Sequence, residues 1–177
     1  MSYRIELARA DEVEALRALE DAAGVLYGQV GLPPDLEGLS PADIEESFAA
    51  RAAFVARDLD GALTGMALCW SRPEALHLRE LDVSPAHMRR GLGRQLVEHC
   101  MAEAAARGLP RVTLTTFRDV PFNAPLYRRW GFEVLSPEAT PAFLREILAA
   151  EANGVLGRWP RVAMARSAGV DGSYTRP

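Results

Sequence analysis

A short stretch where an extended apolar segment gives way to a helical pattern contains residues that could bind an anion. Arg89, Arg90, Gly91, Gly93 and Arg94 lie within six positions. The first amides of a helix lack intrahelical partners and carry the positive end of the helix dipole, so they bind phosphate where the backbone can be approached. Glycine leaves that approach open, and arginine suits bidentate phosphate contacts. The stretch predicts a diphosphate site, with a plain glycine turn and solvated arginines as the alternative.

Two common phosphate-binding motifs do not fit this stretch. The chain contains no lysine, which excludes a P-loop ending in Gly-Lys-Ser/Thr and any lysine Schiff base. A dinucleotide-binding Gly-x-Gly-x-x-Gly turn would need its third glycine at position 96, which is Leu96. The diphosphate ligand must therefore approach a strand end and a helix start that belong to neither of these two motifs.

The elements that position this site form a strand, helix, strand unit. Leu76–Val83 alternates like a strand with one polar edge, and Val112–Phe117 reads as the next strand. Between them, Gly93–Arg107 carries apolar residues at helical spacing and ends at Gly108. This βαβ unit predicts that at least part of the sheet is parallel.

The remaining elements are predicted from periodicity, caps and turn residues. They are a strand at Tyr3–Leu7, a helix from an Asp11/Glu14 cap to Gly24, an irregular loop at Gly24–Leu39, a helix from Ser40–Pro41 to Arg51, a hairpin of Ala53–Arg57 and Leu63–Trp70, a helix at Asn123–Trp130, a strand at Gly131–Leu135, a helix from Thr140–Pro141 to Asn153 and a strand at Arg161–Arg166.

Length and composition indicate one globular domain. The chain has 177 residues, 49% of them hydrophobic, which is enough for a sizeable core without staples. We predict a single domain over residues 1–166 and a disordered tail over 167–177. A formal charge of -4 disfavours nucleic acid and anionic membrane as main partners. The absence of a long apolar run and of a signal-like start predicts a cytoplasmic protein.

Two segments together resemble a known family. Val83-Ser-Pro-Ala-His-Met-Arg-Arg-Gly-Leu-Gly-Arg-Gln-Leu96 and Asn123-Ala-Pro-Leu-Tyr-Arg-Arg-Trp-Gly-Phe132 look like the GNAT superfamily of acetyl-CoA-dependent N-acetyltransferases. The Gln/Arg-x-x-Gly-x-Gly/Ala signature falls on Met88 to Gly93, with Met88 where Gln or Arg is usual. The match covers about Leu76 to Leu135, and the first 75 residues match in outline.

The resemblance implies an α/β fold with a central, mostly antiparallel mixed sheet and helices on both faces. Its fourth and fifth strands are parallel and splay apart, with coenzyme A between them. The backbone of Leu81, Asp82 and Val83 would hold the pantetheine and the acetyl carbonyl. The pyrophosphate would lie against Met88, Arg89, Arg90, Gly91, Leu92, Gly93 and Arg94.

The resemblance also suggests catalytic residues. Tyr127 stands at the tyrosine of the Leu-Tyr-x-x-x-Gly-Phe pattern that resembles the family's general acid, and a packed aromatic is the alternative. A thiolate whose thiol has a pKa of about 8.5 can take a proton from a tyrosine with a pKa of about 10 if the two are in contact. Asn123 would hydrogen-bond the pantetheine or, alternatively, cap the helix that follows.

An amine with a pKa of about 10.4 must lose a proton before it attacks, which costs roughly 4 to 5 kcal/mol near pH 7. His77, where some family members carry a histidine that relays the proton through water, and Glu80 are the candidate bases. Strand alternation puts them on opposite faces unless a bulge intervenes. Glu80 is also a candidate carboxylate for binding a cationic amine.

The resemblance implies transfer of an acetyl group from acetyl-CoA to a primary amine of a small molecule or peptide, directly in a ternary complex. Leu26, Tyr27, Arg118 and Asp119 are the expected substrate-side residues. No metal-ligand spacing is evident, and Cys69 as an acyl carrier is a minor alternative. An acyl-CoA-binding sensor without turnover is the second hypothesis. A homodimer is the commonest assembly for such a chain.

Overall fold

The computed structural model of the protein describes residues 2–33, 38–153 and 155–169. It contains one sheet with helices on both faces. The strands are β1 (Arg4–Leu7), β2 (Ala53–Arg57), β3 (Leu63–Arg72), β4 (Ala75–Val83), β5 (Arg111–Phe117), β6 (Glu133–Val134) and β7 (Arg161–Ser167). The helices are α1 (Val13–Gly28), α2 (Pro41–Ala49), α3 (Leu92–Ala106), α4 (Ala124–Arg129) and α5 (Ala142–Asn153). Short 3-10 helices cover Ala10–Glu12, Pro85–His87 and Val155–Arg158.

The sheet has the order β1-β2-β3-β4-β5-β7-β6, with β4 and β5 parallel and the other neighbours antiparallel. One face is covered by α3, whose Leu96 and Cys100 pack against Leu76 of β4. The opposite face is covered by α1 and α2, where Leu16 and Ile44 join the second apolar cluster. The predicted α/β fold, with its parallel fourth and fifth strands, is confirmed. No helix among the described residues is long and apolar enough to cross a membrane.

The end of α1 lies later than the sequence predicts. The prediction ended this helix near Gly24, but it continues to Gly28. An interior glycine costs a helix only about 1 kcal/mol relative to alanine. The half-buried Leu26 and Tyr27 continue, beyond Gly24, the inward-facing pattern that includes Ala23. Leu26 and Tyr27, predicted in an irregular loop, therefore lie in the last turn of α1. Residues 34–37 of that predicted loop lie outside the described residues.

The start of the same helix also differs from the prediction. Instead of an Asp11/Glu14 cap, a 3-10 turn precedes α1, and the Arg9 amide donates to Glu12 Oε2 at 2.8 Å. Glu12 is buried, and its carboxylate is paired with Arg57 of β2. The ion pair with Arg57, which joins residues far apart in the chain, therefore favours Glu12 over Asp11 or Glu14 as the acidic residue in the first turn.

A β-bulge interrupts β4 close to the predicted site. Leu68 pairs with Glu80 and the next residue, Cys69, pairs with Leu78. Arg79 is therefore an extra residue in β4. A bulge of this kind changes which face the following side chains occupy, because the alternation restarts after it.

The last strand and the two cysteines complete the fold. β7 extends to Ser167, one residue further than predicted, and the amide of Ala168 donates to the carbonyl of Pro110 at 2.9 Å. Residues 170–177 of the predicted tail lie outside the described residues. Cys69 and Cys100 are both buried and free, with their sulfur atoms 3.6 Å apart, which confirms the prediction of buried thiols.

Candidate active site

The parallel contact between β4 and β5 is short. Its ladder pairs Leu76 with Val112 and His77 with Thr113. Beyond these two pairs the C-terminal part of β4, up to Val83, has no ladder partner on β5. The two strands therefore form an opening in the sheet, as the splayed arrangement requires.

The N-terminus of α3 follows directly from the end of β4. Gly91 is its N-cap and has φ 81° and ψ 4°, in the left-handed region that favours glycine. Arg89, two residues earlier, also has a positive φ, of 58°. Non-glycine residues held in this region are strained by about 1 kcal/mol or more and cluster at ligand-binding turns. The turn leads directly into the first residues of α3, whose amides form the predicted anion site.

Gly93 lies in the first turn of α3, close to two neighbouring elements. A Cβ atom at this position would be in ordinary van der Waals contact, 3.4 Å from Cη2 of Trp130 and 3.7 Å from Cγ2 of Val83. The turn, the strand end and α4 come together at one place in the fold.

The remaining residues of the predicted cradle surround the same turn. Arg89, Arg90 and Arg94 are exposed, and Met88 is half-buried in extended conformation. Arg94 lies 3.8 Å from Glu98, one turn further along α3. Arg166 of β7 holds that glutamate with two hydrogen bonds, of 2.8 and 3.1 Å. The cradle thus combines helix amides with a net excess of arginine, which fits a diphosphate.

The bulge in β4 brings the two candidate bases to the same face of the sheet. Leu78 before the bulge and Leu81 and Val83 after it all pack in the cluster under α3. Because side chains alternate on either side of the bulge, His77 and Glu80 both face the side covered by α1 and α2.

His77 is nevertheless enclosed in the core. It is 1% exposed, its Nδ1 is 3.2 Å from Thr113 Oγ1, and its ring contacts those of Trp70 and Phe143. Burial, with the charges of Arg79 and Arg72, lowers the pKa of His77 to about 3. The residue is neutral at ordinary pH, and Nε2 has no hydrogen-bond partner among the described residues.

Three carboxyl groups face the opening on the α1 side. Burial raises the pKa of Glu80 to about 7, although the Arg79 guanidinium opposes the shift. Burial and the charges of Glu80 and Glu20 raise the pKa of Asp82 well above its usual range, and burial also raises the pKa of Glu20 in α1. The three groups repel one another in a poorly solvated place, so a cation there would be stabilised.

Two arginines lie near these carboxyl groups and are themselves paired with other residues. Arg79 lies 3.4 Å from Asp43 and 3.8 Å from Glu80, and its guanidinium is over the ring of Trp70. Arg161 donates two hydrogen bonds to the carboxylate of Glu151. Both cations are thus engaged largely with other carboxylates.

Tyr127 lies in α4, beside the opening. Its ring makes edge contacts with Trp130 and Phe132, at centroid distances of 5.5 and 5.7 Å. Burial, followed by the influence of Tyr27, Glu80 and Asp82, raises the pKa of Tyr127 well above its usual range. The phenol is therefore protonated at neutral pH and shares an electrostatic environment with the β4 carboxyls.

Asn123 links the start of α4 to β5 and α1. Its Nδ2 donates to Thr116 Oγ1 at 2.8 Å and to the Tyr27 hydroxyl at 3.3 Å. Asn123 is the N-cap residue of α4, and its carbonyl accepts the amides of Leu126 and Tyr127 at 2.8 and 3.0 Å, but its side chain makes no capping hydrogen bond. Asn123 is 8% exposed, and Oδ1 has no partner among the described residues. A buried acceptor of this kind is ready for a donor from a bound molecule.

The four expected substrate-side residues fall in two places. Tyr27 faces the opening, and Leu26 is half-buried beside it in α1. Arg118 and Asp119 are exposed immediately after β5 and form hydrogen bonds to each other at 3.0 Å. These two side chains form a surface ion pair beyond the end of the strand.

Glu20 is the site residue that the sequence analysis missed. Its Oε1 accepts the amide of Leu39 at 2.7 Å, which ties α1 to the segment before α2. The sequence could have indicated Glu20 by its position one helical turn after Leu16, on the apolar stripe of α1. An acidic residue on such a stripe is a candidate functional group.

Comparisons with known proteins identify the family. Residues 14–132 match the sequence profile described as the acetyltransferase (GNAT) family. The chain belongs to this family. The GNAT protein is 28% identical over 159 residues to streptothricin acetyltransferase of Streptomyces lavendulae, across 74% of this chain and 82% of the relative.

Solved structures share the fold of this GNAT chain. Nourseothricin acetyltransferase superposes with a TM-score of 0.66 at 23% identity, covering 95% of this chain and 99% of the other. N-acetylglutamate synthase from Neisseria gonorrhoeae, complexed with coenzyme A and N-acetyl-glutamate, gives a TM-score of 0.72 at 18% identity. That alignment covers 95% of this chain and 35% of the longer synthase. Among the described residues of the GNAT chain, no group of three or more His, Cys, Asp or Glu could hold a metal.

Proposed function

We propose that this GNAT protein transfers the acetyl group of acetyl-CoA directly to the amine of a cationic small molecule. One observation carries the proposal. The β4–β5 ladder ends at His77 and Thr113, and the opening beyond it lies between the α3 N-terminus and the half-buried carboxyl groups of Glu20, Glu80 and Asp82. This arrangement supports a diphosphate site and an amine site on opposite sides of one gap.

The residues around the gap fit acetyl-CoA. The main chain of Leu81, Asp82 and Val83 is free of ladder pairing with β5, and the first amides of α3 are available to phosphate oxygens. Asn123 Oδ1 would accept a hydrogen bond from an amide of the pantetheine. When bound, acetyl-CoA supplies a thioester whose carbonyl carbon bonds to the amine and whose sulfur leaves as a thiolate.

Glu80 is the proposed base. The side chain is half-buried on the α1 side of β4, and a pKa of about 7 places it near the value best suited to proton transfer at neutral pH. In its ionised form it would take the proton of an incoming ammonium, either directly or through water. His77 suits this role less well, because it is buried beside the last ladder pair and its pKa is about 3.

Tyr127 is the proposed acid. Its raised pKa keeps the hydroxyl protonated until a leaving thiolate is in contact with it. The rings of Trp130 and Phe132 fix its orientation. Proton donation to sulfur and proton removal from the amine are thereby assigned to different residues, on α4 and β4.

The carboxyl groups support a cationic acceptor. Burial and mutual repulsion disfavour the ionised forms of Glu20, Glu80 and Asp82, so a cation bound beside them would stabilise those forms. A substrate with more than one amine could supply it, one amine reacting while another is held as ammonium. The similarity to streptothricin acetyltransferase points in the same direction and makes streptothricin a rational first acceptor.

Release of free CoA thiol across a panel of amines tests this function. The panel should contain streptothricin, polyamines, aminoglycosides, amino acids and short peptides, with mass analysis of the acetylated product. We expect turnover of at least one cationic amine and formation of an amide. Binding of acetyl-CoA without turnover of any acceptor would instead support the acyl-CoA sensor.

A further inference from the structure

The hydroxyl of Tyr27 joins two parts of the protein across the opening in the sheet. It accepts a hydrogen bond from Asn123 Nδ2 at 3.3 Å, and the same nitrogen donates to Thr116 Oγ1 of β5 at 2.8 Å. Tyr27 itself comes from α1, which packs on the β3 and β4 side. The side chain therefore reaches from α1 to the end of β5.

The aromatic ring of Tyr27 is held in place. It contacts Phe117 and Phe122 at centroid distances of 5.8 and 5.3 Å. The carbonyl of Tyr27 accepts the amides of Val30 and Leu32, both at 3.1 Å. With its backbone fixed and its ring packed on two aromatics, Tyr27 cannot move aside without breaking close contacts.

The charges that act on Tyr27 show where its hydroxyl lies. Burial and then Glu80 raise its pKa to about 12, with Asp82 contributing in the same direction and Arg161 in the opposite one. Tyr27 in turn is the first electrostatic neighbour that raises the pKa of Tyr127. The hydrogen bond from Asn123 places the hydroxyl beside the start of α4, and the influence of Glu80 and Asp82 on its pKa agrees with that position.

We propose that Tyr27 limits the donor to acetyl-CoA by closing the space that a longer acyl chain would need. This inference rests on the proposed function. With its diphosphate bound at α3, acetyl-CoA would place its sulfur on the α3 side of the gap, and the acyl chain would extend from it towards α1. On this proposal the Tyr27 ring would leave room for a methyl group and would obstruct further methylenes.

The expected selectivity follows from close packing. One methylene more or less in a well-formed pocket changes specificity by roughly 10- to 200-fold. Wild-type protein should therefore prefer acetyl-CoA to butyryl-CoA by at least about 30-fold in kcat/KM with the same amine. This first measurement needs no variant.

Substitutions of Tyr27 distinguish the effect of its ring from the effect of its hydroxyl. Tyr27→Leu and Tyr27→Ala shorten the side chain and should reduce the preference for acetyl-CoA by about 10-fold or more. Tyr27→Phe keeps the ring and should retain the preference, although the bond to Asn123 is lost. Val25→Ala, at an exposed position on the same helix, is the matched control.

The ratio of kcat/KM for acetyl-CoA to that for butyryl-CoA does not depend on the fraction of the protein that is folded. Dissociation constants of the two acyl-CoAs, from calorimetry, give the same comparison without turnover. A wild-type protein that uses or binds both acyl-CoAs equally would overturn the inference while leaving the proposed function intact. An unchanged ratio in Tyr27→Leu and Tyr27→Ala would also overturn it. Failure of wild type to bind any acyl-CoA would contradict the proposed function as well.

Discussion

His77 on β4 and Thr113 on β5 form the last pair of the parallel ladder, and their side chains lie 3.2 Å apart, between Nδ1 and Oγ1. Two polar side chains thus meet at the point where the strands part. The interaction is buried and places a neutral histidine beneath the opening. Its position suggests that His77 supports the shape of the gap, while Glu80 beyond it is available for proton transfer.

Replacement of His77 should alter how stability depends on pH. Its pKa is about 3 in the folded protein, below its value of 6.5 in an unfolded chain, so the unfolded state binds the proton more readily. The contribution of neutral His77 to the free energy of unfolding is complete above about pH 6.5. It decreases as the pH falls towards 3, by about 1.4 kcal/mol per pH unit. His77→Asn should therefore lose less stability than wild type between about pH 6 and pH 4, in urea unfolding at each pH. Carboxyl groups with raised pKa values change stability in the opposite direction, but they are present in both proteins. Equal slopes of the free energy of unfolding against pH in wild type and His77→Asn would contradict the lowered pKa of His77.

Removal of the Tyr127 hydroxyl should slow turnover without weakening cofactor binding. A positioned acid contributes about 10²- to 10⁴-fold, so Tyr127→Phe should reduce kcat by at least about 100-fold. The dissociation constant for acetyl-CoA, from calorimetry, should change less than about threefold, since the edge contacts of the ring with Trp130 and Phe132 are kept. Tyr3→Phe, a change at a tyrosine that contacts His87 instead, is the matched control. A kcat equal to that of wild type would exclude Tyr127 as the acid.

Glu80 should determine an inflection in the pH dependence of the reaction. As a base it acts when ionised, and its pKa is about 7, so kcat/KM should rise with pH and level off above that value. Glu80→Gln should lower kcat/KM by about 100-fold and remove this inflection. The same amine must be used for both proteins, because its own ionisation then cancels in the comparison. Exposed Glu14 of α1, changed to Gln, is the control. Persistence of the inflection in Glu80→Gln would assign it to another group.

Glu20 should affect acceptor binding more than chemistry. Glu20→Gln removes one charge but keeps an oxygen that can accept the amide of Leu39. We expect KM for a cationic acceptor to rise about tenfold, equivalent to about 1.4 kcal/mol, with kcat within about twofold of wild type. Steady-state kinetics at low salt provide the measurement. An equal effect on an uncharged amine would show that the change is structural and not electrostatic.

Part of this site could be predicted because its determinants are local. The glycine and arginine turn before α3 has a fixed spacing, and Gly91 occupies the left-handed conformation expected of a glycine at such a turn. The tyrosine pattern at Tyr127 is likewise contained within a few residues. Strand alternation and helical periodicity also predicted most elements, because each buries one face.

The features that were missed depend on distant partners. Arg79 becomes a bulge through its register against β3, so the shared face of His77 and Glu80 was not determined by alternation alone. Glu12 replaces the expected cap because it pairs with Arg57 across the fold. Such contacts join residues far apart in the chain, and a single sequence does not reveal them.

Calorimetric titration of acetyl-CoA into wild type and Gly91→Val tests the central claim most directly. Valine is strained at a φ of 81°, so the α3 N-terminal turn should be displaced in the variant. Gly24→Ala is the control, because its Cβ would meet nothing within 4 Å. We predict saturable one-to-one binding to wild type and Gly24→Ala, and affinity at least about 30-fold weaker in Gly91→Val because phosphate contacts are lost. No heat of binding to wild type at millimolar acetyl-CoA, or equal affinity in all three proteins, would contradict the account.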